Sequence, residues 1–260
     1  MSKKAIVHKE EITYFLRCLL DIAGQETEQG DGYEKRFAER LNFQNETEWK
    51  KYRAAIDLLD DTEYAIISAF EYQLGDLNNK NRDVNGMYLR LYGILNAVYL
   101  QMSAYQELVE LLKFCNKYEL KKIFKSLNIY KLRNIAGAHT LDFDSDKEIL
   151  GNEKVTSFRI FQGDLDATGT YIKVLSQHGT FIQYELLSLL HEYEYSSRDL
   201  LIKLVKHALN NLVNDKEQRS DLIHQLEKKL KNLIDYTKID KNKAVKEKAI
   251  KEQKNAAKKY

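Results

Sequence analysis

Apolar residues recur at three- and four-residue steps along most of the chain, the period of a helix with one buried face. Between Ile6 and Ala23 the positions Ile12, Phe15, Leu16, Leu19 and Leu20 follow this rule, and the stretch from Gly24 to Gly32 reads as a loop. Asn45 with Glu48 three residues on has the form of a helix start, an acceptor side chain at the cap and a carboxylate in the first turn. The helix it opens is expected to run to about Leu74, burying Tyr52, Ile56, Leu59, Ala65, Ile66 and Phe70, and the Asn-rich segment from Gly75 to Arg82 ends it. Asp83 to Lys117 is the longest helical pattern. Its apolar residues, among them Met87, Leu91, Leu95, Val98, Met102, Tyr105 and Leu108, form a wide face, as expected of a helix packed from more than one side. Tyr118 to Ala138 continues the rhythm and ends at Gly137, a C-terminal glycine.

The pattern then changes. Leu141 to Glu153 is acidic and loop-like, whereas Val155–Phe161 and Thr170–Leu175 are rich in β-branched and aromatic residues and bracketed by Gly163, Gly169 and Gly179. A small β-hairpin or short meander is predicted at about 154–176. Helical periodicity returns from Phe181 to Val213 and again from Lys216 to Tyr236. From Lys238 to Tyr260 nine lysines face only Asp240, Glu247 and Glu252, too little apolar surface to pack. The fold class is therefore mostly α. The expected organisation is one helical domain over 1–235, with a bundle at about 46–140, the hairpin, C-terminal helices at about 181–235, and a basic tail over 236–260. Whether the C-terminal half is a separate domain stays open.

Composition sharpens this in three places. A chain of 260 residues without proline is poor in loops and tolerant of long helices, and 43% hydrophobic residues suffice for a core. A net charge of +2 neither favours nor excludes nucleic acid, for which local patches decide. Cys18 and Cys115 sit among apolar helix-period residues and are expected to be reduced core thiols. No signal-peptide-like start and no apolar run of membrane-spanning length is seen, so a cytoplasmic protein is expected.

The candidate chemistry lies in Tyr130-Lys131-Leu132-Arg133-Asn134-Ile135-Ala136-Gly137-Ala138-His139-Thr140. RNA can be cleaved by its own 2′-hydroxyl, so a protein need only move protons and stabilise a charged phosphorane. A histidine titrates near cellular pH and can act as acid or base. An arginine stays charged and offers a rigid fork of donors to phosphate oxygens. On an ideal helix Arg133 and His139 stand about 120° apart. They meet only if the chain tightens or ends between them, which Ala136-Gly137-Ala138 permits, or if two copies of the chain share one cleft.

An Arg followed by a polar residue, then a His after an interval of this length near a helix end, resembles the motif of the HEPN superfamily. Here Asn134 fills the polar position and five residues separate Arg133 from His139. The resemblance covers about Glu46 to Thr140. It implies an α-helical bundle, a homodimer, and a metal-independent endoribonuclease without cofactor, of the kind found in toxin–antitoxin and antiviral systems, with an antitoxin or defence-complex partner. His139 would be the general acid/base, Arg133 the phosphate stabiliser and Asn134 the orienting residue. Lys131 and the tail residues Lys246, Lys248, Lys251 and Lys254 are candidate RNA contacts, although the tail equally suits a merely solubilising run. The alternative is a helical RNA-binding or protein-interaction module without catalysis.

Other signals weigh less. Asp142 to Glu153 imitates a calcium loop but carries Lys147 where the sharp turn needs glycine. The remaining histidines show no metal-ligand spacing, and no phosphate-binding glycine loop or nucleophile elbow is present.

Overall fold

The computed structural model describes residues 9–75, 83–137, 158–161, 164–176 and 179–231. In chain order these form α1 (Glu10–Glu26), α2 (Tyr33–Arg40), α3 (Glu46–Tyr72), α4 (Val84–Leu111), α5 (Lys117–Ser126), α6 (Asn128–Gly137), β1 (Phe158–Ile160), β2 (Ile172–Ser176), β3 (Phe181–Tyr184), α7 (Leu186–Leu212) and α8 (216–231). The protein is mostly helical with a small antiparallel sheet, as its sequence pattern predicts. No described helix is long and apolar enough to cross a membrane.

The centre is the pair α3–α4. Asn45 caps α3 as expected, its side chain accepting from the Thr47 and Glu48 amides at 2.9 and 3.2 Å, while Glu48 accepts from the Gln44 amide at 2.7 Å. Gly75 meets the Met87 side chain, Glu63 receives a bond from Gln101, and Lys51 pairs with Glu107. Those three contacts run in opposite chain directions, so α3 and α4 are antiparallel. Along α4 the side chains of Met87, Leu91, Leu95, Val98, Met102, Tyr105 and Leu108 are all buried. This is the wide apolar face of a helix covered on several sides: α3, α5 and α6 all pack on it. One contiguous core cluster runs from Ile12 through these helices to Leu226 of α8.

The sheet has the order β1-β2-β3, with Phe158 opposite Ser176 and Val174 opposite Ile182. Phe158, Ile160, Ile172 and Val174 turn one face inward, and β1 packs on α6. The third strand corrects the sequence reading, which has helix beginning at Phe181. Phe181–Tyr184 alternates outward and half-buried positions as a strand does, and α7 starts only at Leu186. Gly169 joins this unit to the helices. Its carbonyl accepts from the Leu186 amide at 3.1 Å, its φ is +64°, and an added Cβ would sit 3.2 Å from Leu74 and 3.3 Å from Leu186. Glycine is required there both by the left-handed backbone and by the close approach.

Four further differences have local causes. Residues 33–40, not assigned by the pattern, form a short helix that buries Phe37 and Ala38. The long segment after α3 ends at Leu111 rather than Lys117, closing through Lys113 at φ +51°. The segment read as one helix from Tyr118 splits at Leu127, whose extended backbone ends α5 and whose carbonyl then receives the Tyr130 and Lys131 amides that start α6. Cys115 lies in the connection after α4 and is exposed, while Cys18 is half-buried, so neither is a core thiol.

Candidate phosphate-binding site on the sixth helix

Helix α6 turns Ile129, Leu132, Ile135 and Ala136 into the core. The three-to-four spacing of those residues leaves Tyr130, Lys131, Arg133 and Asn134 on the outward side, all half-buried. The buried side rests on α4, with β1 and α7 alongside, so a rigid wall holds the outward residues in place.

Arg133 is fixed from two directions. Its guanidinium carbon stands 3.8 Å from the ring centroid of Tyr99 on α4, within stacking distance of the ring's negative face. Its Nη1 donates to Asn134 Oδ1 at 3.2 Å. Among the described residues it makes no ion pair with a carboxylate, in contrast to Arg17, which is forked onto Asp57 and Asp60 at 2.8 and 2.6 Å. Among the described residues the Arg133 guanidinium is engaged only by a ring and a neutral amide, an arrangement whose fork of donors can suit an external anion. Asn134 is thus in hydrogen-bond contact with Arg133. Lys131 adds a second cation on the same outward side, also without a described carboxylate partner.

His139 lies outside the described residues, as do Lys246, Lys248, Lys251, Lys254 and the calcium-loop-like stretch 142–153. The structure therefore brings together Arg133, Asn134 and Tyr99. Tyr99 is the member that sequence reading missed. Its place at i, i+4 and i+8 with Ser103 and Glu107 on the half-buried edge of α4 is the signal that could have found it.

A second polar constellation was not legible in the sequence at all. Lys9, 1% exposed, extends Nζ to Glu194 Oε1 at 2.6 Å, Gln101 Oε1 at 2.8 Å and Glu63 Oε2 at 3.0 Å. Gln101 donates to Glu63 at 3.2 Å, and the Tyr193 hydroxyl donates to Gln101 at 2.8 Å. Burial raises the Glu194 carboxyl to about 7 against the opposing pull of Lys9, with Glu63 adding to the rise. Burial also pushes the Tyr105 and Tyr193 hydroxyls well above their ordinary range. The ammonium has three acceptors around it and the Glu194 side chain is only 16% exposed. This node clasps the start of α1 to α3, α4 and α7, and the Lys9 ammonium is fully engaged within it.

The remaining histidines with described contacts are structural. His207 Nε2 lies 3.0 Å from the Leu112 carbonyl and its ring meets Phe114 edge-on, while His191 stacks near Phe70. No group of three or more metal-ligating side chains occurs among the described residues. An open groove of about 770 Å³ is lined by Glu10, Glu11, Asp60, Tyr14, Tyr64, Arg17 and Lys229. Its cations are already paired with carboxylates, so it would repel phosphate. No protein-family model, curated protein or solved structure matches this chain.

Proposed function

We propose that the protein is a metal-independent endoribonuclease of HEPN type, acting through Arg133, Asn134 and His139. The observation that carries this reading is the state of Arg133: half-buried, stacked on Tyr99, bonded to a neutral amide, and facing no described carboxylate. Such a fork suits the non-bridging oxygens of a phosphodiester, whose charge grows as the 2′-oxygen attacks. Asn134 would keep the guanidinium plane aligned, and Tyr99 would keep it from folding back onto the helix. His139, six positions on, would take the 2′-hydroxyl proton or deliver one to the leaving 5′-oxygen. No nucleophile from the protein and no metal is needed, since the substrate supplies the attacking group. A homodimer that shares one cleft, a toxin or antiviral role, and an antitoxin or defence partner belong to the same reading.

Incubating purified protein with total RNA in EDTA tests it. Cleavage by wild type that is lost in both His139→Ala and Arg133→Ala supports the reading. Binding without cleavage would favour the alternative, a non-catalytic RNA-binding module, which the same cations also suit.

A further inference from the structure

Residues 117–134 hold Lys117, Lys121, Lys122, Lys125, Lys131 and Arg133 against the single acid Glu119, in a chain whose net charge is only +2. Most of this charge is on α5. Leu120 and Phe124 anchor that helix in the core. At ~100° per residue, Lys117, Lys121, Lys125, Tyr118 and Lys122 then fall within an arc of about 140° that begins beside Phe124 and ends opposite the two anchors, with Glu119 beyond that arc. Lys121, Lys122 and Lys125 are exposed and pair with no described carboxylate. Lys117 alone is engaged, with Glu107 at 3.8 Å and with Glu110 on α4. Tyr118 is 70% exposed in the middle of this face.

The two cationic groups share one side of α4. Arg133 lies on Tyr99 and Lys117 on Glu107. Tyr99, Ser103 and Glu107 follow one another at four-residue steps, so they form one ridge, and the two contacts stand about 12 Å apart along it. The lysine face therefore begins on the same ridge that carries the arginine, about 12 Å from the Arg133 contact.

We propose that the lysine face of α5 is the track on which single-stranded RNA is held and led to Arg133. The proposal rests on the reading of Arg133 and Asn134 as a phosphate site and names how the substrate reaches it. Lysines at four-residue steps repeat every ~6 Å, a row of point charges that a pliable single strand can follow with successive phosphates. An exposed tyrosine among them gives an unpaired base a ring to stack on, which a duplex cannot use.

The test is anisotropy of a labelled 2′-O-methyl single strand of about 12 nucleotides. Such RNA has no attacking hydroxyl, so binding is read without cleavage. For the full chain carrying Lys121→Glu, Lys122→Glu and Lys125→Glu together, the dissociation constant is expected to rise about tenfold or more, and the salt dependence to become shallower by about 2 log–log units. The three side chains are exposed, so the melting temperature should stay that of wild type. Tyr118→Ala should weaken the single strand and leave duplex RNA unchanged. Wild-type affinity and salt slope in the triple variant would overturn the proposal. So would wild-type protein that binds no RNA, or that prefers duplex RNA or anionic phospholipid vesicles to the single strand. Loss of binding in the triple variant together with undiminished cleavage of ordinary RNA by Arg133→Ala would retain the track and reject the catalytic reading, so the two failures are distinguishable.

Discussion

Among the described residues Arg133 is held by a ring and a neutral amide rather than by a carboxylate, and this makes it sensitive to substitutions that keep its charge. Lysine cannot reproduce the planar stack on Tyr99 or the fork toward a phosphate. Arg133→Lys is therefore expected to lower RNA cleavage about 10²-fold, close to the loss in Arg133→Ala. Tyr99→Leu removes the ring and should cost about tenfold, whereas Tyr99→Phe keeps it and should stay near wild type. Equal cleavage by the Leu and Phe variants would remove Tyr99 from the site. The sequence motif shows the arginine and the amide but not the ring, because Tyr99 is thirty-four positions upstream and reaches them only through helix packing. The same limit hid the Lys9 node. Glu63, Gln101 and Glu194 are single polar residues on otherwise apolar faces, and each looks solvated until three helices bring them to one ammonium.

That node also sets a pH dependence. The Glu194 carboxyl sits at about 7 in the folded chain, above the ~4.3 of an unfolded chain. Between those values the folded form holds a proton that the unfolded form releases, so the stabilisation is complete below about 4.3 and is lost as pH rises through about 7. Thermal melts should show this contribution as a fall of the midpoint by a few degrees from pH 5.5 to 8. Glu194→Gln should flatten the slope, and an unchanged slope in that variant would assign the effect elsewhere. Lys9→Met leaves two buried carboxylates without their cation and is expected to cost about 3–5 kcal/mol.

At the scale of elements, local signals were legible where they act locally. Asn45 and Glu48 announced α3 because a cap needs only its own first turn, and Asn45→Ala should cost about 1 kcal/mol in chemical denaturation. The broad apolar face of α4 was equally readable, since burial from several sides leaves few polar positions. The break at Leu127 was not, because neither glycine nor proline marks it and the apolar rhythm continues across it. That break directs α5 and α6 separately onto α4. The strand Phe181–Tyr184 was hidden for a related reason: four residues that alternate are too few to stand out before a long helix, and pairing with β2 decides their state. Where the sheet meets the helices, Gly169→Ala should destabilise by about 1–2 kcal/mol from its left-handed backbone alone, with the crowding at Leu74 and Leu186 adding to it.

For the whole molecule, one core ties the helices together while the surface charge is divided. Carboxylates with paired cations line the groove beside α1, and cations that, Lys117 apart, have no described carboxylate partner crowd α5 and α6. A net charge of +2 conceals this division, which is why composition alone could not point to a polyanion. The mostly helical architecture with a small sheet was legible from periodicity. The meeting of Arg133 with His139 that the proposed function requires would be a matter of tertiary or dimeric geometry that no spacing along one chain fixes. Its most direct measurement is cleavage of a defined RNA in EDTA by wild type and by His139→Ala at equal, folded concentrations. Products ending in 2′,3′-cyclic phosphate are expected from the wild type, and their loss in the variant. Undiminished cleavage by His139→Ala, or an intact substrate with the wild type, would contradict it.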